Sequence, residues 1–111
     1  MMAALKPPLS QRLSASPEQI SAFCQRWQIT EFALFGSVLR DDFHPDSDID
    51  VLLTFLPEEW LTWDDWQAMQ TELEALFQRK VDLVSKKYLK NPYRRHEILS
   101  TREVIYAIEQ S

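Results

Sequence analysis

Glycine is nearly missing from this sequence. Average usage would put roughly eight glycines in a chain of this length, and there is one, Gly36, in 111 residues. Cysteine is equally scarce: Cys24 stands alone, which excludes an internal disulfide and suits a reducing cytoplasm. No apolar run approaches the ~20 residues of a membrane span, and the opening Met1 to Pro8 lacks the apolar block of a signal peptide. A cytoplasmic protein without membrane contact is therefore expected. His44 and His96 are isolated and show no zinc-ligand spacing, and no nucleophilic triad is visible. Lys and Arg are missing from residues 41 to 74, which hold eleven acids. Residues 79 to 102 carry eight of the twelve basic residues and only two acids, Asp82 and Glu97. The net charge of −5 argues against nonspecific nucleic-acid binding, which needs net basic surface.

What remains is an ordinary globular composition, 45% hydrophobic and 26% charged, with room for one domain and one modest core. Residues 1 to 15, with Pro7-Pro8 and no periodicity, read as a flexible tail ahead of a domain over 16–111. Ser16-Pro17-Glu18-Gln19 is a helix start, with Ser as N-cap and Pro at the first helical position; Ile20, Phe23, Cys24 and Trp27 follow at helical spacing. Glu31 to Phe35 reads as an interior strand ending at Gly36-Ser37. A polar loop leads to a second strand, Asp48 to Phe55. Thr62 caps a helix whose buried stripe is Trp66, Met69, Leu73, Leu76 and Phe77, with Asp64 and Asp65 complementing its dipole. Val81 to Val84 forms a third strand, Asn91-Pro92 opens a last helix, and Val104 to Ile108 fits an edge strand. The fold class is α/β (α+β), a small mixed sheet packed by helices. Trp60, Trp63 and Trp66 recur every three residues, as core packing or as a partner-binding patch.

Chemistry concentrates on three carboxylates and one glycine-serine step. Asp48 and Asp50, two apart on a strand, share a face with Cα atoms roughly 6.7 Å apart, while Ile49, Val51 and Leu53 turn to the core. Two like charges beside a core are costly unless compensated: either both lie on a solvated strand face, or a hard divalent cation such as Mg²⁺ or Mn²⁺ compensates them. Gly36, closing a buried strand, lets backbone N–H groups approach a phosphate, and the Ser37 hydroxyl adds a donor. Asp82 interrupts an apolar strand and wants a partner. It can bind a metal and accept a proton from an attacking hydroxyl, provided its strand lies beside that of Asp48 and Asp50. Arg40, just past Ser37, reaches a triphosphate or is simply solvated.

Phe35-Gly36-Ser37-Val38-Leu39-Arg40, followed by Pro45-Asp46-Ser47-Asp48-Ile49-Asp50-Val51-Leu52, resembles the minimal nucleotidyltransferase (MNT) domains of the DNA polymerase β-type superfamily. Val81-Asp82-Leu83-Val84 fits the same pattern, as does Ile98-Leu99 followed by Ile105-Tyr106, so the similarity spans about residues 18 to 108. Asp41 stands where these domains usually have glycine after the arginine. The resemblance implies a polymerase β-like nucleotidyltransferase fold. It also implies two Mg²⁺ ions on Asp48 and Asp50, with Asp82 joining at one, and ATP phosphates held by Gly36, Ser37 and Arg40. It further implies an antitoxin that transfers AMP to a tyrosine of a partner HEPN-domain ribonuclease toxin, releasing pyrophosphate. Two alternatives are an antitoxin that works by binding alone, and nucleotidyl transfer to a small molecule or an RNA end.

Overall fold

The computed structural model describes residues 12–41, 43–44, 46–55 and 61–108. The elements run α1 (Pro17–Arg26), β1 (Ile29–Phe35), a 3₁₀ turn (Gly36–Leu39), β2 (Ile49–Phe55), α2 (Trp63–Phe77), β3 (Val81–Ser85), a second 3₁₀ turn (Lys86–Tyr88), α3 (Pro92–Thr101) and β4 (Glu103–Ala107). The strands form one mixed sheet in the order β3-β2-β1-β4. β1 pairs antiparallel with both β2 and β4, and β2 pairs parallel with β3. A parallel pair needs a crossover, which α2 provides.

Each helix begins where the side chains satisfy its orphan amides. Ser16 and Gln19 form a capping box on α1, Thr62 and Asp65 form another on α2, and the Asn91 carboxamide accepts from two amides of α3. The helices before β1 and β3 are followed by left-handed residues, Gln28 at φ 58° and Gln78 at φ 54°. Glycine is the usual occupant of such positions. The chain therefore tolerates glutamine at two turns that ordinarily favour glycine.

Strand alternation divides the apolar residues between two clusters. On one face Phe32, Leu34, Ile49, Val51 and Leu53 pack beneath α1 and α2, joined by Ile20, Phe23, Cys24, Met69, Leu73 and Phe77. On the other face Ala33, Phe35 and Leu52 meet Leu89 and Ile98, with Val84 and Leu99 against them. Burial pushes the Cys24 thiol far above its ordinary range, so this cysteine is a core residue.

The packing starts earlier than the sequence led us to expect. Leu13 and Ala15 are buried in the main cluster, and Arg12 donates to the carbonyls of Val38 and Arg40. The expected tail thus gives way to packed chain by residue 12; residues 1–11 lie outside the described residues. Two apolar side chains are enough to anchor such a segment, but too few to show a period. Trp63 is exposed (73%), while Trp66 packs on Phe55 with ring centroids 6.3 Å apart; Trp60 lies outside the described residues. Among the described residues no helix is long and apolar enough to cross a membrane.

Phe32 is the hub of the main cluster. It is fully buried, with its ring edge-on to Phe23 at 6.3 Å and to Phe77 at 6.4 Å. Phe32→Ala is expected to lower unfolding free energy by about 3–5 kcal/mol in urea melts, a large share of the 5–15 kcal/mol typical of a domain.

Candidate active site

β2 alternates, so its first residues present Ile49 and Val51 to the core and Asp50 to the opposite face. That second face is covered by α3 where it carries Leu52 and Val84. Toward the start of β2 and β3 it carries Asp50 and Asp82 instead. The parallel register pairs Asp50 directly with Asp82, placing the third carboxylate beside the second as the expectation required. Asp48 lies one residue before β2 rather than within it, and is exposed.

The approach to Asp48 is held by Arg79. Its Nη1 donates to the carbonyls of His44 (3.0 Å) and Ser47 (2.9 Å), and its guanidinium lies 4.4 Å from the Phe43 ring centre. Arg79 therefore shapes the loop that leads into the acidic pair. This role was invisible in the sequence, where Arg79 is one of the eight basic residues between 79 and 102.

Gly36 follows β1 at φ 78°. Its backbone packs so tightly on Asp50 that a Cβ there would overlap Oδ2 and come within 3.1 Å of Cγ. Among the described residues glutamine occupies the other two left-handed positions, so positive φ alone does not explain this glycine. The absence of a side chain is what lets the 3₁₀ turn sit against the carboxylate.

Electrostatics follow from this crowding. Asp50 is half-buried, and its carboxyl is pushed above the usual aspartate range, first by desolvation and then by the charges of Asp82 and Asp48. The guanidinium groups of Arg94 and Arg40 oppose the shift without cancelling it. A hollow of about 590 Å³ opens beside Asp50, lined by Phe35, Gly36, Leu39 and Arg40 on one side and by Arg94, Glu97, Ile98 and Thr101 of α3 on the other. Gly36, Arg40 and Asp50 thus share one cavity. Ser37 and Asp82 are not in its lining, and Asp48 lines a separate polar hollow with Lys80. The α3 wall, Arg94 above all, is a part of the site that sequence reasoning missed.

Among the described residues no three His, Cys, Asp or Glu side chains are already gathered to hold a metal ion. The donor chemistry nevertheless fits Mg²⁺. This ion usually takes one or two carboxylates and completes its shell with water and substrate phosphates, not a full protein cage. Asp50, raised by burial and then by its two acidic neighbours, carries negative charge that Arg94 and Arg40 offset only in part and that such an ion neutralises.

A glycine turn pressed on a carboxylate and two arginines border one hollow, with a second carboxylate across the strand pair outside it; this is chemistry able to meet phosphates and a divalent cation. The chain belongs to the nucleotidyltransferase domain family, whose model matches residues 17–105, and it is a nucleotidyltransferase. It is 35% identical over 82 residues to the protein adenylyltransferase MntA of Thermococcus cleftensis, covering 74% of this chain and 78% of that protein. A solved structure provisionally named a minimal nucleotidyltransferase matches with a TM-score of 0.65 and 34% identity, over 78% of this chain and 85% of that one. A toxin-antitoxin complex with AMP-PNP matches with a TM-score of 0.67 and 18% identity, over 84% of this chain and 74% of that one, a likeness of fold.

The raised Asp50 carboxyl makes a prediction with a definite sign. The folded state holds this proton more tightly than the unfolded chain, so stability falls as pH rises from the ordinary aspartate range, about 4, through the raised value. Asp50→Asn should melt at a higher temperature than wild type at pH 7, without added metal. The gap should close as pH falls to about 4. A variant no more stable than wild type at pH 7 would contradict the assignment.

Proposed function

We propose that this nucleotidyltransferase is a protein adenylyltransferase serving as an antitoxin. In this reading it transfers AMP from ATP to a tyrosine of a HEPN-type ribonuclease toxin. The observation that carries the reading is the placement of Asp82 directly beside Asp50, next to the turn at Gly36. The Thermococcus relative is named a protein adenylyltransferase, and the AMP-PNP-bound neighbour is a toxin-antitoxin complex; both lend support.

The residues divide the work as follows. Gly36 and Ser37 bring backbone N–H groups and a hydroxyl to the β- and γ-phosphates of ATP, and Arg40 adds a cation on the same side of the hollow. Asp48, Asp50 and Asp82 would hold Mg²⁺, which when bound supplies charge neutralisation for the phosphates. Asp82 is exposed on the strand beside Asp50, so it is open to an incoming hydroxyl and can take its proton. The acceptor oxygen attacks the α-phosphorus, the bond from that phosphorus to the bridging oxygen breaks, and pyrophosphate leaves. A tyrosine phenol, with pKa about 10, gives up its proton more readily than an aliphatic alcohol.

The test incubates the protein with α-labelled ATP, Mg²⁺ and a HEPN toxin. Label should appear on the toxin and be lost from a toxin lacking the acceptor tyrosine. Gly36→Ala, which displaces Asp50, and Asp50→Asn, which removes a metal-binding charge, should each lower the rate by a factor of about 100 or more. An unlabelled toxin that is still neutralised by the Asp50→Asn variant would show inhibition by binding alone. Label on a small molecule or an RNA end would place the acceptor elsewhere.

A further inference from the structure

We propose that Arg94, on the first turn of α3, is a further phosphate-binding residue of this site, gripping the β- and γ-phosphates from the wall opposite Gly36 and Arg40. The proposal rests on the nucleotidyl-transfer reading above and adds a residue from a different element of the fold.

Three observations carry it. Arg94 lines the same hollow as Gly36, Arg40 and Asp50, and its charge acts on the Asp50 carboxyl, so it stands beside the space that the phosphates would occupy. Among the described residues no hydrogen bond or salt bridge holds that guanidinium, in contrast with five other arginines of the domain. Arg12, Arg79 and Arg95 each hold backbone carbonyls, while Arg26 pairs with Glu72 and Arg102 with Glu31. The comparison with Arg95 is the sharpest. Adjacent in sequence, it turns inward to the carbonyls of Lys86 and Leu89 and fastens the loop ahead of α3, whereas Arg94 is left exposed toward the hollow.

The third observation is where the charge sits. A helix N-terminus favours acids, and a cation in the first turn is unfavourable by a few tenths of a kcal/mol or more. α3 has no acid in its first turn, and carries Arg94 and Arg95 there instead. Arg95 is explained by the carbonyls that it holds. Arg94 holds no carbonyl; the charge that it meets is the Asp50 carboxylate at the hollow, and a local rule broken in favour of a contact at a cavity is characteristic of a functional position. The helix amides themselves are not the site, because the Asn91 carboxamide already accepts from the N–H groups of Tyr93 and Arg94. The side chain is what remains to meet an anion, and its fork-shaped guanidinium suits two phosphate oxygens at once.

Binding of ATP, ADP and AMP to the full-length protein in magnesium buffer tests this, by calorimetry, with Arg94→Gln and Arg94→Lys as variants. Thermal melting of the unliganded proteins reports on the fold. The expected result is ATP affinity lower by a factor of about 10 to 100 in Arg94→Gln, AMP affinity within twofold of wild type, and an intermediate ATP value for Arg94→Lys. Arg94→Gln binding ATP as tightly as wild type would overturn the role of Arg94 while leaving the nucleotide site intact. Equal losses for ATP and AMP would also overturn it, because the contact would then lie outside the β- and γ-phosphates. A wild-type protein that binds none of the three would overturn the nucleotidyl-transfer reading itself, and this proposal with it.

Discussion

Two carboxylates held side by side across a parallel strand pair repel each other, and the site is organised around that repulsion. β2 and β3 are fixed in register by the apolar residues that alternate with Asp50 and Asp82: Ile49, Val51 and Leu53 on one strand, Val81 and Leu83 on the other. Burial of that opposite face stabilises the strands by far more than the surface-side repulsion destabilises them. The acids therefore cannot relax apart by shifting the backbone. What they can do is take up a proton or a cation; burial first, and then the charges of Asp82 and Asp48, raise the Asp50 carboxyl.

The single glycine belongs to the same constraint. Any side chain at position 36 would strike the Asp50 carboxylate, so the turn that follows β1 and the acid that opens β2 are fitted to each other. Among the described residues the chain places glutamine at its other left-handed positions. Scarcity of glycine elsewhere is thus what makes its use here informative. Around this pair the fold adds cations from separate elements: Arg40 after the 3₁₀ turn and Arg94 on α3. The result is a hollow bordered by the Asp50 carboxylate and by two guanidinium groups.

Much of this could be read from residues alone, because local rules govern it. The caps Ser16, Thr62 and Asn91 start their helices where expected, since capping is decided within four residues. The alternation of Asp50 with Val51 and Leu53 assigned the faces of β2 correctly for the same reason. Asp82 was legible as an acid in an apolar strand, but its position opposite Asp50 depended on sheet order, which no local pattern specifies. Arg94 was lost among neighbouring basic residues, because only the tertiary fold separates an arginine facing a cavity from one, Arg95, that holds carbonyls. Leu13 and Ala15 escaped for want of a period, and the exposure of Trp63 ran against its size.

The proposed function requires a divalent cation at Asp50, shared with one or both of its acidic neighbours Asp48 and Asp82, beside the Gly36 turn. The most direct measurement is a crystal structure with Mn²⁺ and a non-hydrolysable ATP analogue, with the ion located by its anomalous scattering. The account predicts Mn²⁺ bonded to the Asp50 carboxylate and at least one of its two acidic neighbours, beside phosphates lying on the turn. Nucleotide bound with no ion on these carboxylates, or Mn²⁺ held elsewhere on the molecule, would contradict it.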